Sequence, residues 1–137
     1  MMKIIFILLL LLVSYRAFAP ISPCITIVKP EVIDPYKQLI YAIGMVEGKL
    51  DTLAINPVEQ AYGYFQVRAI RLEDYNARTG SNYSLQDMLV YEKAERVFRY
   101  YASQIGFKDP GRIARSWNGS GPKTWDYWKK VRNYLII

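Results

Sequence analysis

Between Asp34 and Gly48 the chain reads Asp34-Pro35-Tyr36-Lys37-Gln38-Leu39-Ile40-Tyr41-Ala42-Ile43-Gly44-Met45-Val46-Glu47-Gly48, a helix with one residue out of place. Asp34-Pro35 is an N-cap followed by proline at the first helical position, and Gly48 supplies a C-terminal stop. Ile40, Ile43 and Glu47 are spaced i, i+3, i+7, so the acid continues an apolar stripe. A carboxylate facing a core is costly unless it is paired or protonated. Desolvation raises its pKa, which is how a general acid is kept protonated near neutral pH. Two blander readings stay open here: Glu47 swings out to solvent, or it pairs with Lys49 or Arg68.

The same arithmetic of caps and periodicity runs through the rest of the chain. Leu50 to Gln60 reads as a loop, and residues 68–78 as a second helix ended near Gly80. Ser84 caps a short segment containing Leu85 and Met88. Tyr91, Ala94, Val97, Phe98, Tyr101 and Ile105 recur at three-to-four spacing before Gly106, a longer helix. Asp109-Pro110 repeats the cap-plus-proline signature and opens a helix through Trp117. Thr124 opens the last, with Tyr127, Trp128, Val131 and Leu135 as its apolar stripe. No stretch alternates over enough residues for a sheet, which leaves room only for a small β-hairpin in the loops. The expectation is an all-α domain of about five helices over residues 34–137.

Composition limits the chemistry. The chain has 137 residues, one Cys and no His. It therefore cannot build a Ser-His-Asp triad, a Cys-His pair or a His-ligated metal from its own residues. One thiol makes neither an intrachain disulfide nor a multi-Cys metal site. The reading implies no metal and no cofactor; carboxylates, hydroxyls, amides and lysines must do the work. Twelve Tyr, five Phe and three Trp suit a packed core plus a groove. Tyr62, Tyr64, Trp117 and Trp125 are candidates to offer faces to a flat ligand.

The N-terminus reads as an address. Met1-Met2-Lys3 precedes an apolar run from Ile4 to Val13, then Ala17-Phe18-Ala19 in the pattern of a signal-peptidase site. Ten apolar residues are too few for a membrane-spanning helix, which needs about 20. Residues 1–19 are thus expected to be a signal peptide, or an anchor giving membrane association if uncleaved. Residues 20–33, with Pro20, Pro23 and Pro30 among β-branched residues, read as an extended lead-in. Removing Lys3 and Arg16 lowers the formal charge of +6 by two, to 6 − 2 = +4. That balance favours an anionic partner. No dense Lys/Arg run or nucleic-acid motif accompanies it, so nucleic acid is not expected. The expected site of action is the periplasm, cell envelope or extracellular space.

Three further segments stand in order after Glu47. They are Ala61-Tyr62-Gly63-Tyr64-Phe65-Gln66-Val67, then Ala114-Arg115-Ser116-Trp117-Asn118-Gly119, then Thr124-Trp125-Asp126-Tyr127-Trp128-Lys129-Lys130-Val131. With Glu47 they resemble the four motifs of the lytic transglycosylase and goose-type lysozyme branch of the lysozyme-like superfamily. These are a catalytic Glu, a Gly-Leu-Met-Gln-Ile-like motif, an Ala-Tyr-Asn-Ala-Gly-like motif and a Thr-x-x-Tyr-x-x-Lys-Val-like helix. The resemblance spans roughly residues 35–135 and implies a lysozyme-like single domain acting on peptidoglycan glycan strands as a monomer.

By that resemblance Glu47 is the single catalytic acid/base. It would protonate the oxygen between N-acetylmuramic acid and N-acetylglucosamine, then accept a proton from the muramic C6 hydroxyl or from water. Gly63, Phe65 and Gln66 fall on the second motif, with the glycine either leaving the approach to the acid open or serving as a plain turn glycine. Gln66 carries an amide able to donate to and accept from a sugar, or to bond interior backbone. Phe65 takes the Met position and is better suited to packing. Trp117 and Asn118 fall on the third motif, and Tyr127 on the fourth, its hydroxyl aimed at the acid. The sequence departs from the pattern at three points. Gly48 stands where a Ser usually follows the Glu, removing a hydroxyl that helps position the loop. Asn56 stands where an Ala-x-Ser pattern is expected and still donates a hydrogen bond. Trp117 replaces a Tyr, trading a hydroxyl for a larger ring.

An inverting hydrolase needs a second carboxylate about 6.5–9.5 Å from the first. Asp51 is the nearest in sequence, Glu59, Glu73 and Asp74 are other candidates, and none lies in a motif; Asp51 reads as a solvated turn residue. The resemblance therefore leans to a transglycosylase forming 1,6-anhydromuramoyl products. A hydrolytic lysozyme and a non-catalytic glycan binder are the alternatives. A basic protein binding membrane or nucleic acid through Lys123, Lys129, Lys130 and Arg132 is a third, and it leaves the ordered motifs unexplained.

Overall fold

The computed structural model describes residues 33–135, so the expected signal peptide and nearly all of the extended lead-in lie outside the described residues. Among the described residues the fold is mainly helical. Five α-helices run over Lys37–Glu47 (α1), Ala69–Thr79 (α2), Tyr91–Ile105 (α3), Pro110–Asn118 (α4) and Lys123–Arg132 (α5). A 3₁₀ turn covers Leu85–Leu89, and three two-residue strands, Ile55–Asn56 (β1), Ala61–Tyr62 (β2) and Val67–Arg68 (β3), form a sheet in that order. No described helix is long and apolar enough to cross a membrane.

Most boundaries follow local chemistry. Ser84 and Asp87 form a reciprocal capping box on the 3₁₀ turn. Asp109 accepts from the Arg112 amide at 2.8 Å, with Pro110 in the first turn of α4. Gly80 closes α2 in the left-handed conformation.

Two boundaries differ from the sequence expectation. Helix α1 starts at Lys37, with Tyr36 rather than Asp34 at its N-cap; the Asp34 carboxylate still accepts from the Tyr36 amide at 3.0 Å and also pairs with Arg99 of α3. At the other end, Gly48 is the C-cap but keeps φ at −127°, and Lys49 and Leu50 make the left-handed turn. Gly44 O accepts from both Gly48 N and Leu50 N at 3.1 Å, which satisfies the helix end.

The small sheet exceeds the single hairpin expected. Both pairings are antiparallel, Ile55 opposite Tyr62 and Ala61 opposite Arg68. Its strands are too short to show a two-residue alternation, so the sequence carried no signal for them.

The core lies between the helices and the β2–β3 loop. Phe65 is fully buried, its ring stacked on Phe98 at 4.9 Å, while Trp117 meets Phe98 edge-on at 5.1 Å. Tyr64 fills the space beside Gly44 that a Cβ would need, locking the sheet against α1. Helix α5 packs on α1 and α4. The Glu47 end of α1 is thereby held between the sheet and α5.

Candidate functional site

A cleft of about 550 Å³ opens where α1, the sheet, α2, α4 and α5 meet. Glu47 is half-buried in its wall, and Tyr127 of α5 donates its hydroxyl to Glu47 Oε1 at 2.7 Å. The two residues are 80 positions apart in sequence. Neither Lys49 nor Arg68 pairs with Glu47, so the ion-pair reading fails. Burial raises the Glu47 pKa above the ordinary carboxylate value of 4.5; the Tyr127 hydrogen bond and the charges of Arg68 and Arg71 oppose it, and Glu59 adds to it. Burial, and next the Glu47 charge, push the Tyr127 phenol well above its usual range, so Tyr127 stays the donor.

Asn56, Gln66, Trp117 and Asn118 also line the cleft. Gln66 sits at φ +48° and donates Nε2 to the carbonyls of Ala54 (3.1 Å) and Gly63 (2.9 Å). Both partners are acceptors, which fixes the amide orientation and leaves Oε1 to accept from a ligand. Asn56 is its converse: Oδ1 accepts from Val58 N and Glu59 N, leaving the Nδ2 hydrogens to donate. Together they present one donor and one acceptor, the complement of an amide. Asn118 makes no side-chain hydrogen bond among the described residues and is half-buried at the end of α4.

Two expected site residues lie elsewhere. Phe65 is in the core and reaches no part of the cleft lining. Gly63, at φ +75°, does not line the cleft either; a Cβ there would collide with the Met88 carbonyl, so glycine is required by packing against the 3₁₀ turn rather than by access to the acid. Trp117 borders the cleft but is only 6% exposed, and its indole N–H donates to Phe65 O at 3.1 Å. The guanidinium of Arg71 lies 4.5 Å from its ring centroid, so Trp117 offers no broad stacking face. Tyr62, Tyr64 and Trp125 are outside the lining; Tyr64 is core, and Arg115 covers the Trp125 ring at 3.9 Å.

Arg71 and Tyr101 belong to the cleft and carry no motif. Arg71 donates to the carbonyls of Ser116 and Trp117, each at 3.0 Å, and lies 4.8 Å from the Tyr101 ring centroid. Tyr101 in turn donates its hydroxyl towards Arg71 O at 2.9 Å and Asp74 at 2.7 Å. The one sequence hint is that Arg71, Asp74 and Arg78 repeat at i, i+3, i+7, a polar stripe along α2.

Of the four candidate second carboxylates, Glu59 and Asp74 line the cleft and Asp51 and Glu73 do not. Glu59 pairs with Arg68 and Asp74 with Arg78, both at 2.7 Å. Asp51 accepts from Leu53 N at 2.8 Å in an exposed turn, as its position after the helix stop implied. No three His, Cys, Asp or Glu converge among the described residues to hold a metal. Compared with known proteins, the chain matches no family model, no curated protein and no solved structure.

Proposed function

We propose that the chain is an exported peptidoglycan-cleaving enzyme of lysozyme-like fold, working with Glu47 as its single acid/base on the bond between N-acetylmuramic acid and N-acetylglucosamine. The observation that carries the reading is the Glu47–Tyr127 pair: a carboxyl raised in pKa by burial, held by a phenol, in the wall of an open cleft. A protonated Glu47 delivers its proton to the leaving glycosidic oxygen, and the resulting carboxylate is stabilised by Tyr127 until it takes a proton back. The donor of Asn56 and the acceptor of Gln66 suit the N-acetyl groups that such a strand carries.

The cleft's two other carboxylates favour the transglycosylase route. Glu59 and Asp74 are each tied to an arginine, and Asp74 is held below the ordinary carboxylate range by its bonds to Arg78 and Tyr101, a poor base for water. The muramic C6 hydroxyl then closes on C1, giving 1,6-anhydro ends. A muramidase using Glu59, on the cleft wall, is the second reading.

Glu47→Gln tests the assignment. It is expected to abolish release of muropeptides from purified sacculi while leaving the circular dichroism spectrum intact; undiminished release would sink it. Mass spectrometry of the wild-type products separates the routes, since anhydro ends mean transglycosylase and reducing ends mean hydrolase.

A further inference from the structure

The charge of the described residues is unevenly placed. Residues 33–105 carry eight Lys and Arg against nine Asp and Glu, a formal charge of −1, whereas residues 106–135 carry seven against two, +5. The cationic surplus therefore sits on α4, α5 and their flanking turns. The two helices lie against each other: Trp128 packs on Gly111, where a Cβ would stand 3.1 Å from the ring, and the Arg115 guanidinium lies 3.9 Å from the Trp125 ring centroid. Arg112 precedes Arg115 by three residues and shares its side of α4. On α5, Trp125, Lys129 and Arg132 are spaced i, i+4, i+7 and all are exposed, whereas Tyr127 and Val131 are buried. At 3.6 residues per turn this stripe is on the side of α5 opposite Tyr127, and none of its residues lines the cleft. Lys130 lines the cleft, and Lys123, four residues before Tyr127, falls on that side too. Two acids accompany the face: Asp126 bonds Lys129 at 3.0 Å, and Asp109 caps α4. Arg112, Arg115 and Arg132 take part in no salt bridge among the described residues.

Cations set around an exposed indole match an anionic lipid surface. The charges meet headgroup phosphates, and the amphipathic ring settles at headgroup level. Trp125 is 54% exposed, as is Phe107 in the turn before α4. A phosphate polymer in solution would match the charge and leave these rings without an apolar partner. We propose that the α4–α5 face made by Arg112, Arg115, Trp125, Lys129 and Arg132 docks on an anionic phospholipid membrane surface. Because the face is turned away from Tyr127, docking leaves the Glu47 cleft open, whatever the cleft acts on. The four basic residues of α5 thus divide by side, Lys129 and Arg132 towards the lipid and Lys123 and Lys130 towards the cleft.

The test is sedimentation of the full chain with vesicles of phosphatidylcholine alone or of phosphatidylcholine and phosphatidylglycerol in equal parts. Binding to the neutral vesicles reports what the apolar run Ile4 to Val13 contributes, so the quantity read is the ratio of the two affinities. Arg112→Gln combined with Arg132→Gln is expected to lower that ratio about 25-fold, about five-fold for each cation near the surface. Both side chains are exposed and make no hydrogen bond among the described residues, so this variant folds. Lys37→Gln combined with Lys49→Gln removes the same charge from exposed positions on α1 and the turn after it, and should lower the ratio no more than about two-fold. Tryptophan emission should shift to the blue on the mixed vesicles, and Trp125→Ala should lose that shift. A ratio unmoved by the arginine pair, or moved equally by the lysine pair, overturns the proposal. So does soluble polyphosphate that binds as tightly as the mixed vesicles, because phosphate charge alone is then what the face reads.

Discussion

Tyr127→Phe removes one atom, the oxygen that donates to Glu47 at 2.7 Å, and leaves the ring that packs in the core. Tyr127 is 7% exposed, so no water easily takes the place of its hydroxyl. The cost depends on the state of Glu47. With Glu47 neutral, the lost bond is an ordinary one and costs about 1 kcal/mol; with Glu47 ionised it is charge-assisted and costs about 1.5–3 kcal/mol. The direction in pH follows from linkage. The folded Glu47 pKa already lies above 4.5, so the folded state binds more protons than the unfolded one, and stability falls as pH rises through that interval. Tyr127 opposes the rise, and without it the folded pKa climbs further. The variant should therefore lose the least stability at acid pH and the most once Glu47 is ionised. Urea denaturation across a pH series, with a carbon-13 titration of the Glu47 carboxyl, reads both effects. In the proposed enzyme the alkaline limb of activity should also move to higher pH, because the acid form persists longer. A loss of stability equal at every pH, with an unmoved Glu47 titration, would refute the role given to the phenol.

Other expectations follow from single contacts. Gly63→Ala sets a methyl against the Met88 carbonyl at φ +75°, and overpacking plus left-handed strain should cost about 2–5 kcal/mol in urea denaturation; a loss under about 0.5 kcal/mol would contradict the packing described. Asp34→Asn breaks the pair with Arg99, whose hydrogen bond holds the Asp34 carboxyl below 3.8. That contribution is present above the unfolded pKa and lost as pH falls through the folded one. Both side chains are about a third exposed, so the variant should lose no more than about 1 kcal/mol at neutral pH and match the wild type in acid.

What could be read from the sequence was what local chemistry controls. Ser84, Asp109-Pro110, Gly80 and Gly106 announced helix ends because caps act within a few residues. Glu47 was visible because it interrupted a stripe, and its phenol partner became visible only through the ordered motifs. Arg71 left no more than a polar stripe on α2 in the sequence, for a physical reason: its hydrogen-bond partners are backbone carbonyls 45 and 46 positions away, and every residue has a carbonyl. Of the two readings of Gly63, the turn glycine fits its left-handed backbone and access to the acid does not, since the obstacle to a side chain is a main-chain oxygen of the 3₁₀ turn. The aromatic surplus misled in the same way. Ring faces available in the sequence are consumed by one another, as Phe65, Phe98, Tyr91 and Trp117 show.

The glycine after the acid explains why so much rests on one hydroxyl. A Cβ at Gly48 would stand 3.2 Å from Asp51 O and 3.4 Å from Tyr64 O, so a serine fits once the turn after α1 gives by a few tenths of an ångström. The turn is instead tied by main chain, with Asp51 N donating to Gly48 O at 2.9 Å and Leu50 N to Gly44 O at 3.1 Å. Backbone bonds hold the loop as a serine hydroxyl would, but they offer nothing to the carboxyl itself. Among the described residues Tyr127 is the only side chain that hydrogen-bonds Glu47. Introducing a serine by Gly48→Ser should therefore strain the turn before it helps the acid, whereas the loss of Tyr127 leaves Glu47 without a side-chain hydrogen-bond partner among the described residues.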